Sequence, residues 1–301
     1  MIYTLTGNLL AERTVEVGRW HPGQTQRASS ERFQVGGKGI NVARMLSRLR
    51  SPCIALAFTG GAAGAECEAW FRRQTVRVRT FATSTATRSG LVVRGENQPE
   101  TTFLGPDAPP DEAALSACAA FLERVETEAF VALCGSFPGW SEPAAQPVRA
   151  ALAAIAQRGR LVVDSYGPPL LWATAQPAAL LKINRSEFAG LLPTGSTESS
   201  AHAFERLRTS MPVQTWILTD GREPVWLGER DRATERFDPP TTQEVSATGS
   251  GDVFLACVLH AALAEGKSWR DAVEFALPLA AANTAHPGVA AFAHPLLELI
   301  P

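Results

Sequence analysis

Short apolar runs of strand length recur along the chain from about residue 129 onward, separated by segments with helical spacing. These runs lie at 130–137, 161–167, 179–185 and 215–221. Segment 147–157 places Val148, Leu152 and Ile155 on one face of a helix. Near-continuous apolar strands alternating with helices predict an α/β fold with a mostly parallel sheet that is covered on both faces. Ligands of such sheets bind beside the carboxyl ends of the strands, so the loops GSFPG, DSYG, NRSE and TDGR are candidate site segments.

The first third of the chain is dominated by shorter runs. TVEV (14–17), CIALAFTG (53–60) and GLVV (90–93) are predicted strands, and the periodicity of residues 41–49 predicts a helix that GGKG precedes. The Pro-rich stretch 105–113 is the predicted joint between this strand-rich part and the later α/β part. A chain of 301 residues with 45% hydrophobic content can form a single domain, so residues 1–301 are taken as one.

Charge and cysteine content narrow the classes of partner. The formal net charge is only −2, which gives no reason to expect nucleic acid or an anionic membrane as a partner. The five cysteines are scattered and none forms a CxxC pair, so buried thiols are expected rather than disulfides or a zinc site. The first residues lack the pattern of a signal peptide, and the run VFLACVLHAALA is too short to span a bilayer. A cytoplasmic location is the expectation.

The segment SATGSGDVFLACVLHAALAEG (246–266) is the strongest chemical signal. Gly249, Ser250 and Gly251 precede Asp252 and then a long apolar helix. Small residues let the backbone approach a ligand closely, and the free N–H groups of a helix start form an anion site. Taken alone, an aspartate at this position is also explained as a helix cap.

Two further segments could carry chemistry. VGGKGINVA (35–43) is not a P-loop, because no Ser or Thr follows Lys38; it suits either backbone contact with a ligand or a flexible turn. In LKINRSEFAGLL (181–192), Asn184 and Glu187 follow Lys182 where a strand turns into a helix. This spacing fits a helix start with Glu in its first turn, and it also fits oxygen ligands for a hydrated Mg²⁺.

Together, and in this order, these segments resemble the ribokinase-like (phosphofructokinase B) carbohydrate kinases. GGKGINVARMLSRL resembles that family's N-terminal signature, and TGSGD its C-terminal GAGD signature. LKINRSE, GSFPG and LTDG resemble its KxNxxE element, its GSxP turn and the turn before the nucleotide. The resemblance implies a three-layer α/β/α sandwich with a small β-sheet lid, built from about 12–34 and 86–104.

The resemblance also implies a reaction, in which the γ-phosphoryl of ATP is transferred to a hydroxyl with Mg²⁺ as cofactor. Asp252 would be the base, and the backbone of Thr248, Gly249, Ser250 and Gly251 would form the anion hole. Mg²⁺ would be organised by Asn184 and Glu187. The nucleotide-binding positions that the resemblance implies are Lys182, Asn184, Thr219, Gly221, Thr248 and Asn283.

For the acceptor, the TATRSGLVV strand resembles that of the branch that phosphorylates sugar phosphates, including 1-phosphofructokinase and tagatose-6-phosphate kinase. Lys38 and Arg88 would then grip the phosphate already on the substrate. The other implied acceptor contacts are Glu12, Gly36, Gly37, Asn41 and Ser136. Kinases of unphosphorylated sugars or nucleosides, and a non-catalytic sensor on the same fold, remain alternatives. Relatives with such a lid often pair through it, which implies a homodimer.

Three departures from the family pattern bear on specificity. Glu12 stands where the family has Asp, and Gly90 stands where Asn is usual. The pair Ser246-Ala247 replaces the usual N/D-T/S pair, and this change bears on whether the protein requires a monovalent cation.

Overall fold

The computed structural model describes residues 1–298 and contains one large sheet and one small one. The strands of the large sheet are β1 (Ile2–Thr6), β4 (Cys53–Thr59), β5 (Val78–Ala82), β8 (Phe130–Cys134), β9 (Leu161–Asp164), β10 (Leu180–Asn184), β11 (Thr215–Asp220), β12 (Glu223–Glu229) and β13 (Glu235–Phe237). Their spatial order is β13-β12-β11-β10-β9-β8-β1-β4-β5. The pairs from β5 to β11 are parallel, and β12 alone among these strands runs in the opposite direction, pairing antiparallel with both β11 and β13. The prediction of a mostly parallel sheet is confirmed.

Helices cover both faces of this sheet. They are α1 (Lys38–Arg48), α2 (Gly61–Phe71), α3 (Glu112–Leu122), α4 (Gln146–Gln157), α5 (Pro168–Ala173), α6 (Arg185–Ala189), α7 (Ser200–Ser210), α8 (Ser250–Leu259), α9 (Trp269–Thr284) and α10 (Pro295–Glu298). Successive residues of a strand point to opposite faces, so Ile2 joins the core formed with α1, α8 and α9, whereas Tyr3 joins that formed with α3, α4 and α7. The three-layer α/β/α sandwich is confirmed.

The small sheet is built from β2 (Leu10–Val17), β3 (Ser30–Gly36), β6 (Arg88–Gly95) and β7 (Thr101–Leu104), in the order β3-β2-β6-β7. These strands coincide with the two ranges expected for a lid. β1 leads into β2, and β3 leads into α1, so the small sheet lies directly before the first candidate motif in the chain.

Some boundaries differ from the sequence-based expectations. The stretch 105–113 connects β7 to α3 rather than separating two parts, because β1, β4 and β5 from the first third are strands of the large sheet. β8 ends at Cys134, before the predicted residue 137, since Gly135 adopts a φ of +76° that breaks extended structure. α1 begins at Lys38, so Lys38 and Gly39 lie inside its first turn.

The remaining expectations from composition concern thiols and membrane spans. All five cysteines are buried and free. Burial raises the pKa of the Cys53 thiol to about 11, which keeps it protonated and unreactive at neutral pH. Within residues 1–298, no helix combines the length and the apolar character needed to cross a membrane.

The central strands should dominate stability. Leu133 of β8 is fully buried, so Leu133→Ala removes apolar contacts and leaves a cavity, and we expect a loss of about 2–5 kcal/mol in the free energy of unfolding. The matched control is Leu171→Ala, whose side chain is exposed and whose loss should lie within about 0.5 kcal/mol. Urea unfolding monitored by circular dichroism measures both values, and equal losses would contradict the assignment of this core.

Candidate active site

A cleft of about 450 Å³ opens beside the carboxyl ends of β10 and β11 and the start of α8. Its lining brings together three of the segments singled out in the sequence. Among the lining residues are Lys38, Lys182, Asn184, Thr219, Gly221, Gly249, Ser250, Gly251 and Asp252. The parallel strands explain this convergence, because their carboxyl ends meet at one edge of the sheet.

Asp252 lies in the first turn of α8 and is buried, with 6% of its surface exposed. Its Oδ2 accepts a hydrogen bond of 2.8 Å from the Asn41 amide of α1, and the N-cap of α8 is Gly249. The geometry therefore differs from that of a capping aspartate. Burial, followed by the nearby Asp164 carboxylate, raises the pKa of Asp252 to about 6. A carboxylate with this pKa is a better proton acceptor than an ordinary aspartate and is still ionised at neutral pH.

Glycine is needed at positions 249 and 251, before Asp252, for two different structural reasons. Gly249 has a φ of 73°, and a Cβ there would lie 2.5 Å from Val289 Cγ1, so no other residue fits without rearrangement. A Cβ at Gly251 would lie 2.9 Å from Lys182 Nζ, so the missing side chain lets the ammonium approach the helix start. The start of α8 and Lys182 together make this end of the cleft attractive to anions.

Asp164, at the end of β9, is the charged residue that sequence reasoning missed. It is fully buried, and its two oxygens accept hydrogen bonds from Lys38 Nζ at 2.7 Å and Lys182 Nζ at 3.0 Å. Burial opposes its ionisation, but the Lys182 and Lys38 ammonium groups outweigh burial and hold the pKa of Asp164 below its usual value. The available signal was a lone acid directly after the apolar run LVV, at the sheet edge where ligands bind.

Asn184 and Glu187 form a capping box at the start of α6. Asn184 Oδ1 accepts from the Glu187 backbone N–H at 2.9 Å, and Glu187 Oε2 accepts from the Asn184 backbone N–H at 2.8 Å. The helix-start interpretation is therefore confirmed. The other carboxylate oxygen, Glu187 Oε1, accepts from Lys38 Nζ at 2.8 Å, so Glu187 also faces the site.

Arg88 lies at the start of β6, and its hydrogen-bond partners differ from those of Lys38. Its guanidinium donates to Asp107 Oδ1 at 3.2 Å and to the backbone oxygen of Asn8 at 3.4 Å. The Asn8 amide donates to Asp107 Oδ1 at 2.8 Å and to Ser136 Oγ at 3.0 Å. The structure thus brings Arg88 and Ser136 together through Asn8, while Lys38 is engaged with two carboxylates. That Lys38 and Arg88 share one substrate phosphate stays a prediction.

Glu12 and the glycines before α1 lie where the small sheet meets this helix. Glu12 Oε1 accepts a hydrogen bond from the Gln34 amide of the neighbouring strand, and a Cβ on Gly36 would lie 3.3 Å from Glu12 Oε2. Gly37 is the N-cap of α1 with a φ of 125°, a conformation that favours glycine. Glu12 therefore lies directly against the glycine-rich segment.

Asn283 of α9 is fully buried and supports the catalytic loop. Its amide donates to the Thr248 backbone oxygen at 3.2 Å and to Ser250 Oγ at 3.3 Å, and its Oδ1 accepts from the Ala290 backbone N–H at 2.8 Å. The neighbouring residues Ala280, Ala281 and Thr284 line the cleft instead. The polar atoms of Asn283 are thus bonded within the protein, and its contact with the nucleotide stays a prediction.

Comparison with known proteins gives a consistent result. The family model described as pfkB family carbohydrate kinase matches residues 7–295. A 1-phosphofructokinase from Xanthomonas campestris pv. campestris is 30% identical over 277 residues, covering 86% of this chain and 83% of the relative. A D-tagatose-1-phosphate kinase from Bacillus licheniformis is 25% identical, covering 85% of this chain and 84% of the relative.

Solved structures extend the likeness to the fold. The structure of phosphofructokinase-2 from Escherichia coli in complex with potassium superimposes with a TM-score of 0.89 at 24% identity, covering 99% of this chain and 97% of the other. Ribokinase from Thermotoga maritima superimposes with a TM-score of 0.75 at 19% identity, covering 99% and 98% of the two chains. Since the family model spans nearly the whole sequence and includes every motif around the cleft, the chain belongs to the pfkB family of carbohydrate kinases.

Proposed function

We propose that the protein transfers the γ-phosphoryl group of ATP to a hydroxyl of a sugar phosphate of the fructose or tagatose type. The observation that carries this proposal is the position of Asp252, a buried carboxylate with a raised pKa between Asn41 and the start of α8. The relatives named 1-phosphofructokinase and D-tagatose-1-phosphate kinase support the choice of acceptor.

In the proposed reaction, Asp252 takes the proton of the acceptor hydroxyl as the oxygen attacks the γ-phosphorus. The bond from that phosphorus to the β-phosphate oxygen breaks, and ADP leaves. Negative charge develops on the transferred group, and the backbone N–H groups from Thr248 to Gly251 would stabilise it, aided by Lys182. Asn41 orients the Asp252 carboxylate, while Thr219 and Gly221 line the nucleotide side of the cleft.

Mg²⁺ fits the residues near α6. The Lys38 ammonium lies between the Asp164 and Glu187 carboxylates, so these carboxylates already stabilise a positive charge there. Asn184 Oδ1 and Glu187 Oε2 accept hydrogen bonds in the capping box, and Glu187 Oε1 accepts from Lys38, so water and nucleotide phosphates would supply much of the coordination, as Mg²⁺ commonly requires. When bound there, the metal would neutralise charge on the phosphates and orient them.

Three finer assignments stay predictions. A monovalent cation would bind near Ser246, where this chain departs from the family pattern; potassium is recorded for the E. coli relative. A homodimer through the small sheet is supported by the exposed apolar residues Leu91, Phe103 and Leu104 of β6 and β7. The expectation of a cytoplasmic location is unchanged.

Replacing the proposed base gives the first test of function. Asp252→Asn keeps the shape and the contact with Asn41 but removes the proton acceptor, so kcat should fall by at least ~10²-fold. The dissociation constant for ATP, measured by calorimetry, should stay near the wild-type value. Asp231→Asn removes an exposed carboxylate from a distant turn and serves as the matched control. A kcat near that of the wild type would remove Asp252 from the mechanism.

The pH dependence tests the same carboxylate in another way. Only the ionised form of Asp252 accepts a proton, so kcat at saturating substrate should rise with pH through about 6 and then level off. The Asn41 hydrogen bond stabilises the charged form, so Asn41→Ala should move this limb to higher pH. A substrate phosphate also titrates near pH 6, but its titration would not respond to Asn41. If Asn41→Ala leaves the acid limb unchanged, the limb reports the titration of the substrate phosphate and not that of Asp252.

Arg88 tests the nature of the acceptor. If it binds the substrate phosphate, Arg88→Ala should raise KM for the sugar phosphate roughly ten- to hundredfold, since a lost charge-assisted hydrogen bond costs about 1.5–3 kcal/mol. KM for ATP should change little. Arg72→Ala, which removes an exposed arginine from the end of α2, is the control. An acceptor panel whose best substrate is an unphosphorylated sugar, unaffected by Arg88→Ala, would exclude this proposal.

A further inference from the structure

We propose that the Asp107 carboxylate occupies the anion position of the acceptor site as an internal competitor until a substrate phosphate displaces it. The inference rests on the proposed function, because it takes Arg88 as the group that binds that phosphate. It concerns a residue of the irregular link between β7 and α3, a segment outside the motifs of the family resemblance.

The contacts of Asp107 resemble those of a bound anion. A single oxygen, Oδ1, accepts from the Asn8 amide at 2.8 Å and from the Arg88 guanidinium at 3.2 Å. The Asn8 amide also reaches Ser136 Oγ at 3.0 Å, so three polar side chains converge on this point. An arginine beside amide and hydroxyl groups is a typical arrangement for a phosphate oxygen.

The site has more hydrogen-bonding capacity than Asp107 uses. Arg88 Nε is buried and has no hydrogen-bond partner among residues 1–298, and the same is true of Asn8 Oδ1. A buried donor or acceptor without a partner is costly, so such groups indicate a ligand that satisfies them. A sugar phosphate offers several acceptor oxygens for Arg88 and hydroxyl donors for Asn8, whereas one carboxylate satisfies only part of the set.

Asp107 is also placed where it can leave. Its side chain is 64% exposed, while that of Arg88 is only 12% exposed. The link is fixed at both ends, where the Gly105 N–H donates to the Ser89 backbone oxygen at 2.8 Å and Asp111 caps α3. Residues 106–110 lie between these anchors without regular structure. The carboxylate can therefore swing into water without disturbing either element.

This arrangement weakens the binding of anions at Arg88. A partly exposed ion pair is weak, and a phosphate with about two negative charges outcompetes a single carboxylate for the same arginine. A neutral sugar has no group that replaces Asp107, so Arg88 stays neutralised and contributes nothing to its binding. Asp107 thus lowers the affinity for every ligand of the anion position and leaves the binding of neutral sugars unchanged.

The test is the isosteric variant Asp107→Asn, which keeps an acceptor oxygen for Asn8 and removes the charge. Inorganic phosphate and fructose 1-phosphate should bind about two- to fivefold more tightly by calorimetry, because a weak competing ion pair is lost. KM for fructose 1-phosphate should fall to match, with kcat unchanged. Binding of unphosphorylated fructose should not improve. Glu112→Gln, which removes an exposed charge five residues away, is the matched control and should bind both ligands as the wild type does.

The results that would overturn the inference differ from those that would overturn the proposed function. Unchanged or weaker phosphate binding by Asp107→Asn would overturn the inference, as would an equal gain in Glu112→Gln, which indicates a general charge effect. Arg88→Ala separates the two proposals. If it weakens phosphate binding while Asp107→Asn has no effect, only the inference fails. If it leaves phosphate binding unchanged, the assignment of Arg88 in the proposed function fails first. In the double variant, the gain from Asp107→Asn should disappear.

Discussion

The buried Asp164 carboxylate is the interaction on which the rest of the site depends. It is fully buried and paired with Lys38 and Lys182, two cations that come from α1 and β10. Without it, the two ammonium groups would lack the carboxylate that pairs with both of them, and removing one partner of a buried ion pair is strongly destabilising. Asp164 therefore allows both lysines to occupy a site that must also receive polyphosphate.

The same charge tunes the proposed base. Burial is the main cause of the raised pKa of Asp252, and the Asp164 charge is the next. Lys38 and Lys182 lower this pKa. The carboxylate that holds the lysines in place thus also keeps the base from becoming too weak a proton acceptor. Substrate phosphates and the proposed Mg²⁺ would shift this balance, because each added charge within a few ångströms changes the cost of ionising Asp252.

The sequence predicts those parts of the site that lie in short local segments. Asp252, Gly249, Gly251, Lys182 and Asn184 belong to motifs whose spacing and place on the chain indicate their position at one sheet edge. Asp164 and Asp107 escape such reasoning, since their roles depend on partners far along the chain: Lys38 is 126 residues from Asp164, and Asn8 is 99 residues from Asp107. Asn283 illustrates the converse. The resemblance predicts that it lies near the nucleotide cleft, but the sequence does not show whether its side chain faces that cleft. The strand β5 was missed for a related reason: its burial pattern is irregular, and pairing with β4 defines it.

Two departures from the family pattern belong to one patch of the small sheet. Glu12 of β2 pairs in register with Gly90 of β6, and it also pairs with Gln34 of β3, whose amide binds its carboxylate. Register partners on adjacent strands share a face, so a longer acid at one position stands beside a missing side chain at the other. A Cβ at Gly90 would lie 2.9 Å from Leu10 Cδ1, so Leu10 already fills the space that a larger residue there would need. The extra methylene of Glu12 is thus accommodated by its bond to Gln34 within the sheet. Because Glu12 also lies against Gly36, changes in this patch are transmitted directly to the segment that the acceptor is proposed to contact.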